Sequence, residues 1–270
     1  MKHYKAIVLF LASEDLIDPR FSKRLTIEDL PLYPFFKKIC EHYMNQYDDI
    51  KFLFVYGDKT TFEPKEYDLI YNDVTETILH PAMLVKTLKA INYIDKNFSY
   101  DYLIRTNLST FWDLHKLRIR LDHLPKEKCL AGTHVRFSSK GCDYHTIAGF
   151  DLVASRDLIK SIIGYEEEMI RWPSPMGQED VTICEFMKKY GQANIIDEQI
   201  VKQVDDGSTL ILRNDMVIPS LIKGPRDTSV DHYRCKNVPQ RHRIIDKVIH
   251  IRLLKEIYNI NVDNQTIDLL

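Results

Sequence analysis

Glycine is scarce in this chain, nine residues in 270, and none of the nine falls into a phosphate-cradling pattern. No GxGxxG follows the first apolar run and no GxxxxGK(S/T) occurs, so a dinucleotide-binding fold and a P-loop nucleotidase both lose their defining loop. GxSxG and HExxH are missing as well, which removes the nucleophile-elbow hydrolases and the zinc proteases. Cysteine is sparse: Cys40, Cys129, Cys142, Cys184 and Cys235 are odd in number, scattered and without CxxC spacing. Neither a disulfide framework nor a zinc knuckle is indicated, and a reducing, cytoplasmic compartment is expected. Charge of one sign is not in excess either. The 37 basic and 39 acidic residues leave a formal net charge of -2, so no chain-wide attraction to nucleic acid or to an anionic membrane is expected. No apolar run approaches the roughly 20 residues of a membrane span. The run Ala6 to Ala12 ends at Ser13-Glu14-Asp15 without a small-residue cleavage site. It reads as a buried first strand rather than a signal peptide.

What the chain does have is enough apolar material, 44% hydrophobic against 28% charged residues, for one large α/β domain. Short apolar runs alternate with helical periodicity in the first half, the pattern of strand-helix-strand units around a mainly parallel sheet. Strands are expected at about 5–11, 51–56, 68–71 and 102–106. Helices are expected at 31–47, through Phe35, Ile39, Tyr43 and Met44, and at 81–98, through Leu84, Leu88, Ile91 and Ile94. The second half reads as a strand at 129–137, a hairpin through 138–141, and a strand at 147–154 leading into a helix. A loop at 172–177 follows, then a helix from Glu179 that stops at Gly191, and an amphipathic helix over 241–258.

The most polar strand end is Arg105-Thr106-Asn107-Leu108-Ser109. Open α/β sheets bind ligands beyond the carboxyl ends of their strands, so these groups stand where a phosphate or sugar would meet them.

Three blocks, taken in order, resemble the GT-A glycosyltransferases of the β-1,3-galactosyltransferase and Fringe-like group. They are Asp68 to Asp73 with Val85 to Lys89 and Tyr102 to Trp112, then Ala148 to Ser155, then Gln178-Glu179-Asp180-Val181. The Arg-Thr-Asn string is also similar to glycosyltransferases encoded by large DNA viruses, for which the host cytoplasm is the expected location. The resemblance implies a single GT-A domain over 1–270 with a Rossmann-like, mainly parallel central sheet flanked by helices. Its nucleotide-binding half would span about 1–112 and its acceptor-side half about 113–270. It implies transfer of a hexose or deoxyhexose, with inversion, from a nucleoside diphosphate sugar, UDP-sugar favoured, to a glycan hydroxyl. The partners are then a nucleotide-sugar donor and a glycan or glycoconjugate acceptor, with no organic cofactor. Where that group carries the acidic DxD triplet that holds a divalent cation, this chain has Asn107-Leu108-Ser109, and Arg105 replaces the usual Lys. Manganese or magnesium held through Asn107 and Ser109 is therefore expected to bind weakly. The same substitution keeps open a second class, a catalytically inactive GT-A-like protein that binds a sugar nucleotide or glycan. A nucleotidyltransferase on a related sheet is a third reading, weakened by the lack of a glycine-rich phosphate loop.

Each candidate residue has a structural alternative. Asn107 and Ser109 either contact the donor or make the turn that Asn and Ser favour. Glu179 and Asp180 suit a helix start whatever their chemistry. Asp180, however, shares a face with Ile183, Cys184 and Met187, which directs it inward and makes it the first candidate base, with Glu179 second. His232, Arg234 and Lys236 lie on one side of an extended segment, as a diphosphate clamp or as a charged edge strand. Asp58 and Asp73 follow strands, as base and ribose contacts or as loop aspartates. Tyr144, His145 and Trp172 are acceptor-side candidates, Trp172 on a lid, or else core and rim aromatics.

Overall fold

The computed structural model describes residues 2–13, 33–58, 60–76, 80–139, 142–173, 178–198, 230–235 and 243–262. Its first half runs β1 (His3–Leu11), α1 (Tyr33–Tyr43), β2 (Ile50–Tyr56), β3 (Asp68–Ile70), α2 (Ala82–Asn97), β4 (Ser99–Asn107), β5 (Thr110–Trp112) and α3 (Leu114–His123). The second runs β6 (Cys129–Gly132), β7 (His134–Ser139), β8 (Cys142–Ile147), β9 (Leu152–Ser155), α4 (Arg156–Ile162), α5 (Glu166–Arg171) and α6 (Glu179–Gly191). It ends with β10 (Asn194–Asp197), β11 (His232–Arg234) and α7 (Arg243–Tyr258). The described residues fall into two compact units. One draws on Met1–Ser13, Asp48–Asn107 and Leu121–Gln199, the other on Glu14–Tyr47, Leu108–Arg120 and Ile200–Leu270.

The first unit holds a seven-stranded sheet in the order β10-β6-β9-β4-β1-β2-β3, a Rossmann-like α/β layer. Only β9 runs against the rest: β1 is parallel to β2 and β4, β2 to β3, and β6 to β10, while β9 is antiparallel to β4 and β6. The expected parallel alternation is therefore present, and β1 is apolar nearly throughout because a central parallel strand is covered on both faces. Ile7, Leu9, Leu53, Val55 and Leu103 join Leu84, Leu88, Ile91 and Ile94 of α2, Leu158 and Ile162 of α4, and Ile183 and Met187 of α6 in one core. The alternate residues Val8, Phe10, Phe52, Phe54 and Ile104 are buried too, with Phe10 and Phe54 stacked at 5.1 Å. Strand order reverses between β1 and β4, which creates a crevice at their carboxyl ends.

Two expectations need correction. The strand at 129–137 breaks at Thr133, because Gly132 takes φ 139 and the N–H and hydroxyl of Thr133 both turn to Asp151 Oδ2, each at 2.9 Å. The strand at 147–154 is likewise two, β8 and β9, separated by a turn in which Asp151 N–H donates to the Ala148 carbonyl at 3.3 Å. At the end of α6, Gly191 still belongs to the helix and Gln192 takes the left-handed conformation, φ 52. Glycine at 191 lets α6 approach α4 closely, since a Cβ there would sit 2.6 Å from both Leu158 Cδ2 and Ser161 Oγ and displace one of them. Pro31 and the hairpin tip at 140–141 lie outside the described residues.

The second unit packs α1 against α7. Tyr43 stacks on Tyr258 at 4.9 Å and Phe36 lies on His250 at 4.4 Å. Its strands β5 and β11 pair antiparallel, Trp112 opposite His232 and Thr110 opposite Arg234. Among the described residues, no helix is long and apolar enough to cross a membrane.

Candidate functional site

In the first unit, four ionic side chains are withdrawn from water at the carboxyl edge of the sheet. Arg105, near the end of β4, forms an ion pair with Glu179, the first residue of α6. Its Nη1 also donates to the Gly149 carbonyl and, at 2.9 Å, to Asn107 Oδ1. The Gly149 peptide is held on its other side as well, since its N–H donates to Asp180 Oδ2 at 2.8 Å. One residue thus links the guanidinium to the carboxylate that follows Glu179, through its N–H and its carbonyl. A larger residue would displace this arrangement: a Cβ at 149 would stand 2.6 Å from Arg105 Nη1 and 2.8 Å from Asp180 Oδ2, so one of those side chains would have to move.

Glu179 and Asp180 are neighbours with different surroundings. Glu179 is buried, and that burial pushes its carboxyl above the ordinary value, with Arg105 pulling the other way and Asp180 adding to the rise. Asp180 is only partly buried and also accepts the Val181 N–H at 2.9 Å. Of the two, Asp180 is the one that keeps some exposure to solvent.

Two further charges, Lys86 of α2 and Glu76 of the β3–α2 connection, are 4% exposed each and pair at 2.6 Å. Burial draws the Lys86 ammonium below its ordinary range, Glu76 and Glu179 partly restore it, and Arg105 opposes them. The Glu179–Arg105 pair is therefore within electrostatic reach of the Lys86–Glu76 pair. In the sequence Lys86 stands out only within the block Val85 to Lys89, with no role of its own, and Glu76 does not stand out.

The remaining candidates are dispersed. Asp58, exposed after β2, accepts the Glu76 N–H at 2.8 Å. Asp73 is exposed and pairs with Lys89, whose hydrogen bond lowers its pKa. Tyr144 and His145 are adjacent on β8 and so point to opposite faces. His145 stacks on His134 at 5.3 Å, and its carbonyl accepts Lys188 Nζ at 3.0 Å. Trp172 closes α5, its N–H bonded to the Glu168 carbonyl at 2.9 Å and its ring edge-on to Phe186 at 6.1 Å.

Ser109 belongs to the second unit, buried, with its carbonyl accepting the Cys235 N–H at 2.8 Å. In that unit His232 is buried against Trp112, ring centroids 4.9 Å apart. Its Nδ1 is 2.8 Å from Asp231 Oδ1, while Asp231 Oδ2 is 3.1 Å from Arg120 Nη1. Burial would raise the Asp231 carboxyl, but the charges of Arg120 and His232 hold it well below the usual range. Arg234 is half-buried on β11, and Lys236 lies outside the described residues. A cavity of about 460 Å³, lined by Tyr47, Asp113, His115, Lys116 and Tyr258 among others, also belongs to this unit and includes none of the candidates.

The donor set at Asn107 and Ser109 does not suit a divalent cation. Both side chains are neutral, and the Asn107 oxygen already accepts from a guanidinium. Among the described residues, no three His, Cys, Asp or Glu side chains are arranged to hold a metal ion. In comparison with known proteins, the sequence matches no family model and no curated protein.

Proposed function

We propose that the protein is an inverting glycosyltransferase that moves a hexose or deoxyhexose from a nucleoside diphosphate sugar, uridine favoured, to a glycan hydroxyl. The observation that carries this reading is the Gly149 clasp, which holds a partly exposed carboxylate, Asp180, beside a buried Arg105–Glu179 pair at the strand-order reversal. In an inverting displacement the acceptor oxygen bonds to the anomeric carbon as the carbon–oxygen bond to the diphosphate breaks. The diphosphate leaves with the bonding electrons and the hydroxyl proton passes to a carboxylate. Asp180 is that base. Glu179, tied to Arg105 and buried, fixes the start of α6 and the direction of its neighbour. Asp58 and Asp73 serve the nucleoside. With Asn107 and Ser109 in place of acids, metal dependence is weak, so activity persists in chelator.

Replacing Asp180 with Asn keeps size and hydrogen bonding but removes the basic site, so turnover falls by about 10²–10⁴ while donor binding survives. Near-normal turnover of this variant on a verified acceptor would sink the assignment, and Glu179→Gln then tests the neighbour. A second reading, a sugar-nucleotide or glycan binder without catalysis, draws on the fact that both Asp180 oxygens accept backbone N–H groups, as a purely structural carboxylate also does. A melting-temperature shift with UDP-sugars and no product with any glycan acceptor would favour it.

A further inference from the structure

The Lys86–Glu76 pair is an expensive way to fill space. Two charges that are 4% exposed lose their hydration, and uncharged side chains of similar volume commonly serve stability as well or better. What such replacements cannot do is hold specific backbone groups. Lys86 Nζ donates to the Ala12 carbonyl at 2.9 Å and to Glu76 Oε1 at 2.6 Å. The other Glu76 oxygen accepts the Gly57 N–H at 2.5 Å, and the Glu76 N–H donates to Asp58 Oδ1 at 2.8 Å. Ala12 follows β1 and Gly57 follows β2, so one ammonium and one carboxylate fasten the carboxyl ends of two adjacent parallel strands. The fit is close, because a Cβ on Gly57 would lie 2.6 Å from the Val74 carbonyl oxygen and 3.0 Å from Glu76 Cα. Asp58 N–H completes the seam on the Val74 carbonyl at 2.9 Å.

We propose that Lys86 and Glu76 are positioning residues for the nucleoside end of the donor, acting through the strand ends at Ala12 and at Gly57-Asp58 rather than by touching the ligand. The inference rests on the function proposed above. It assigns the pair to donor binding and not to the acceptor or to the proton transfer at Asp180.

The test uses the full chain and two variants. Glu76→Gln/Lys86→Met removes both charges together, keeps an acceptor for the Gly57 N–H and cuts the tie to Ala12. Glu76→Asp, which keeps both charges and draws the carboxylate back from the Gly57 N–H by one methylene, is the second variant if the double variant does not fold. Uridine diphosphate binding is measured by calorimetry, with KM for donor and acceptor wherever turnover is established. Amide hydrogen exchange over 10–13 and 55–60 is followed without ligand. The expected result is a cooperatively folded variant whose exchange rises in those two segments, whose uridine diphosphate affinity and donor KM worsen by roughly tenfold to a hundredfold, and whose acceptor KM is unchanged. A folded variant that binds uridine diphosphate like the wild type overturns the inference, as does unchanged exchange at both strand ends. A wild-type protein that binds no uridine diphosphate overturns the proposed function and this inference with it. That failure is distinguishable because the exchange measurement needs no ligand.

Discussion

Each unit of this protein buries a carboxylate against an arginine, and burial leads to opposite results. Glu179 in the first unit is raised above its ordinary pKa, whereas Asp231 in the second is held far below it. Desolvation is the largest influence on both, so the difference lies in the company each keeps. Asp231 has Arg120 on one oxygen and His232 on the other. Glu179 has Arg105, which also serves Gly149 and Asn107, and a second carboxylate, Asp180, next in the chain. A carboxylate held by an arginine on one oxygen and a histidine on the other has its pKa kept low and anchors the fold. One that shares its cation next to a like charge has its carboxyl raised instead, the kind of perturbation that clusters at functional sites.

Breaking the stronger cluster should have the larger effect. Asp231→Asn is expected to cost about 3–5 kcal/mol at neutral pH, the usual penalty for removing one partner of a buried ion pair. The sign of its pH dependence follows from the lowered pKa: the stabilisation is complete above the unfolded aspartate value of about 3.9 and is lost as pH falls toward the folded one. Urea unfolding at pH 7 and near pH 3 should show the gap between wild type and variant closing in acid. A constant gap would exclude this account.

Arg105→Met should cost less, about 1–3 kcal/mol at pH 7, because Glu179 can escape by taking up a proton. For a carboxyl whose folded pKa is raised, the favourable contribution is present below the unfolded value, about 4.3, and is lost as pH rises through the folded one. Removing the arginine raises that folded value further. The deficit should therefore widen as pH rises through the folded value, the same direction as for Asp231→Asn but at higher pH, and thermal melts across pH 4–8 would reveal the slope.

Gly149→Ala sharpens the link between Glu179's surroundings and Asp180. The added methyl would push Arg105 Nη1 or Asp180 Oδ2 aside, so overpacking of about 1–3 kcal/mol is expected. Turnover should fall by more than the melting temperature implies, whereas parallel losses would make Gly149 a packing residue only. The exposed pair Glu167–Arg171, at 2.9 Å with side chains 85% and 79% exposed, is the control. Glu167→Ala should change stability by no more than about 0.5 kcal/mol in a calorimetric scan.

Periodicity and strand-end chemistry made much of this molecule legible. The parallel strands β1 to β4, the helix α2 and the acidic start of α6 follow from apolar spacing, from the β propensity of residues such as those in Ala6 to Leu11, and from carboxylates that suit a helix N-terminus. Arg105, Asn107, Glu179 and Asp180 could be singled out because polar groups at strand and helix ends stand out against apolar surroundings.

The breaks at Thr133 and after Ile147 were not legible. They depend on Asp151 reaching Thr133, a contact 18 residues away in the chain, which no local pattern encodes. Nor did spacing reveal that Asp180 bonds the Gly149 N–H, that Glu179 rather than Asp180 takes the buried ion pair, or that Lys86 and Glu76 join the ends of β1 and β2. The residue types at these positions are set by the sequence alone. Which charges are stripped of water, and which backbone groups they then hold, is decided only when distant segments pack, because desolvation and hydrogen bonding depend on three-dimensional neighbours rather than on order along the chain.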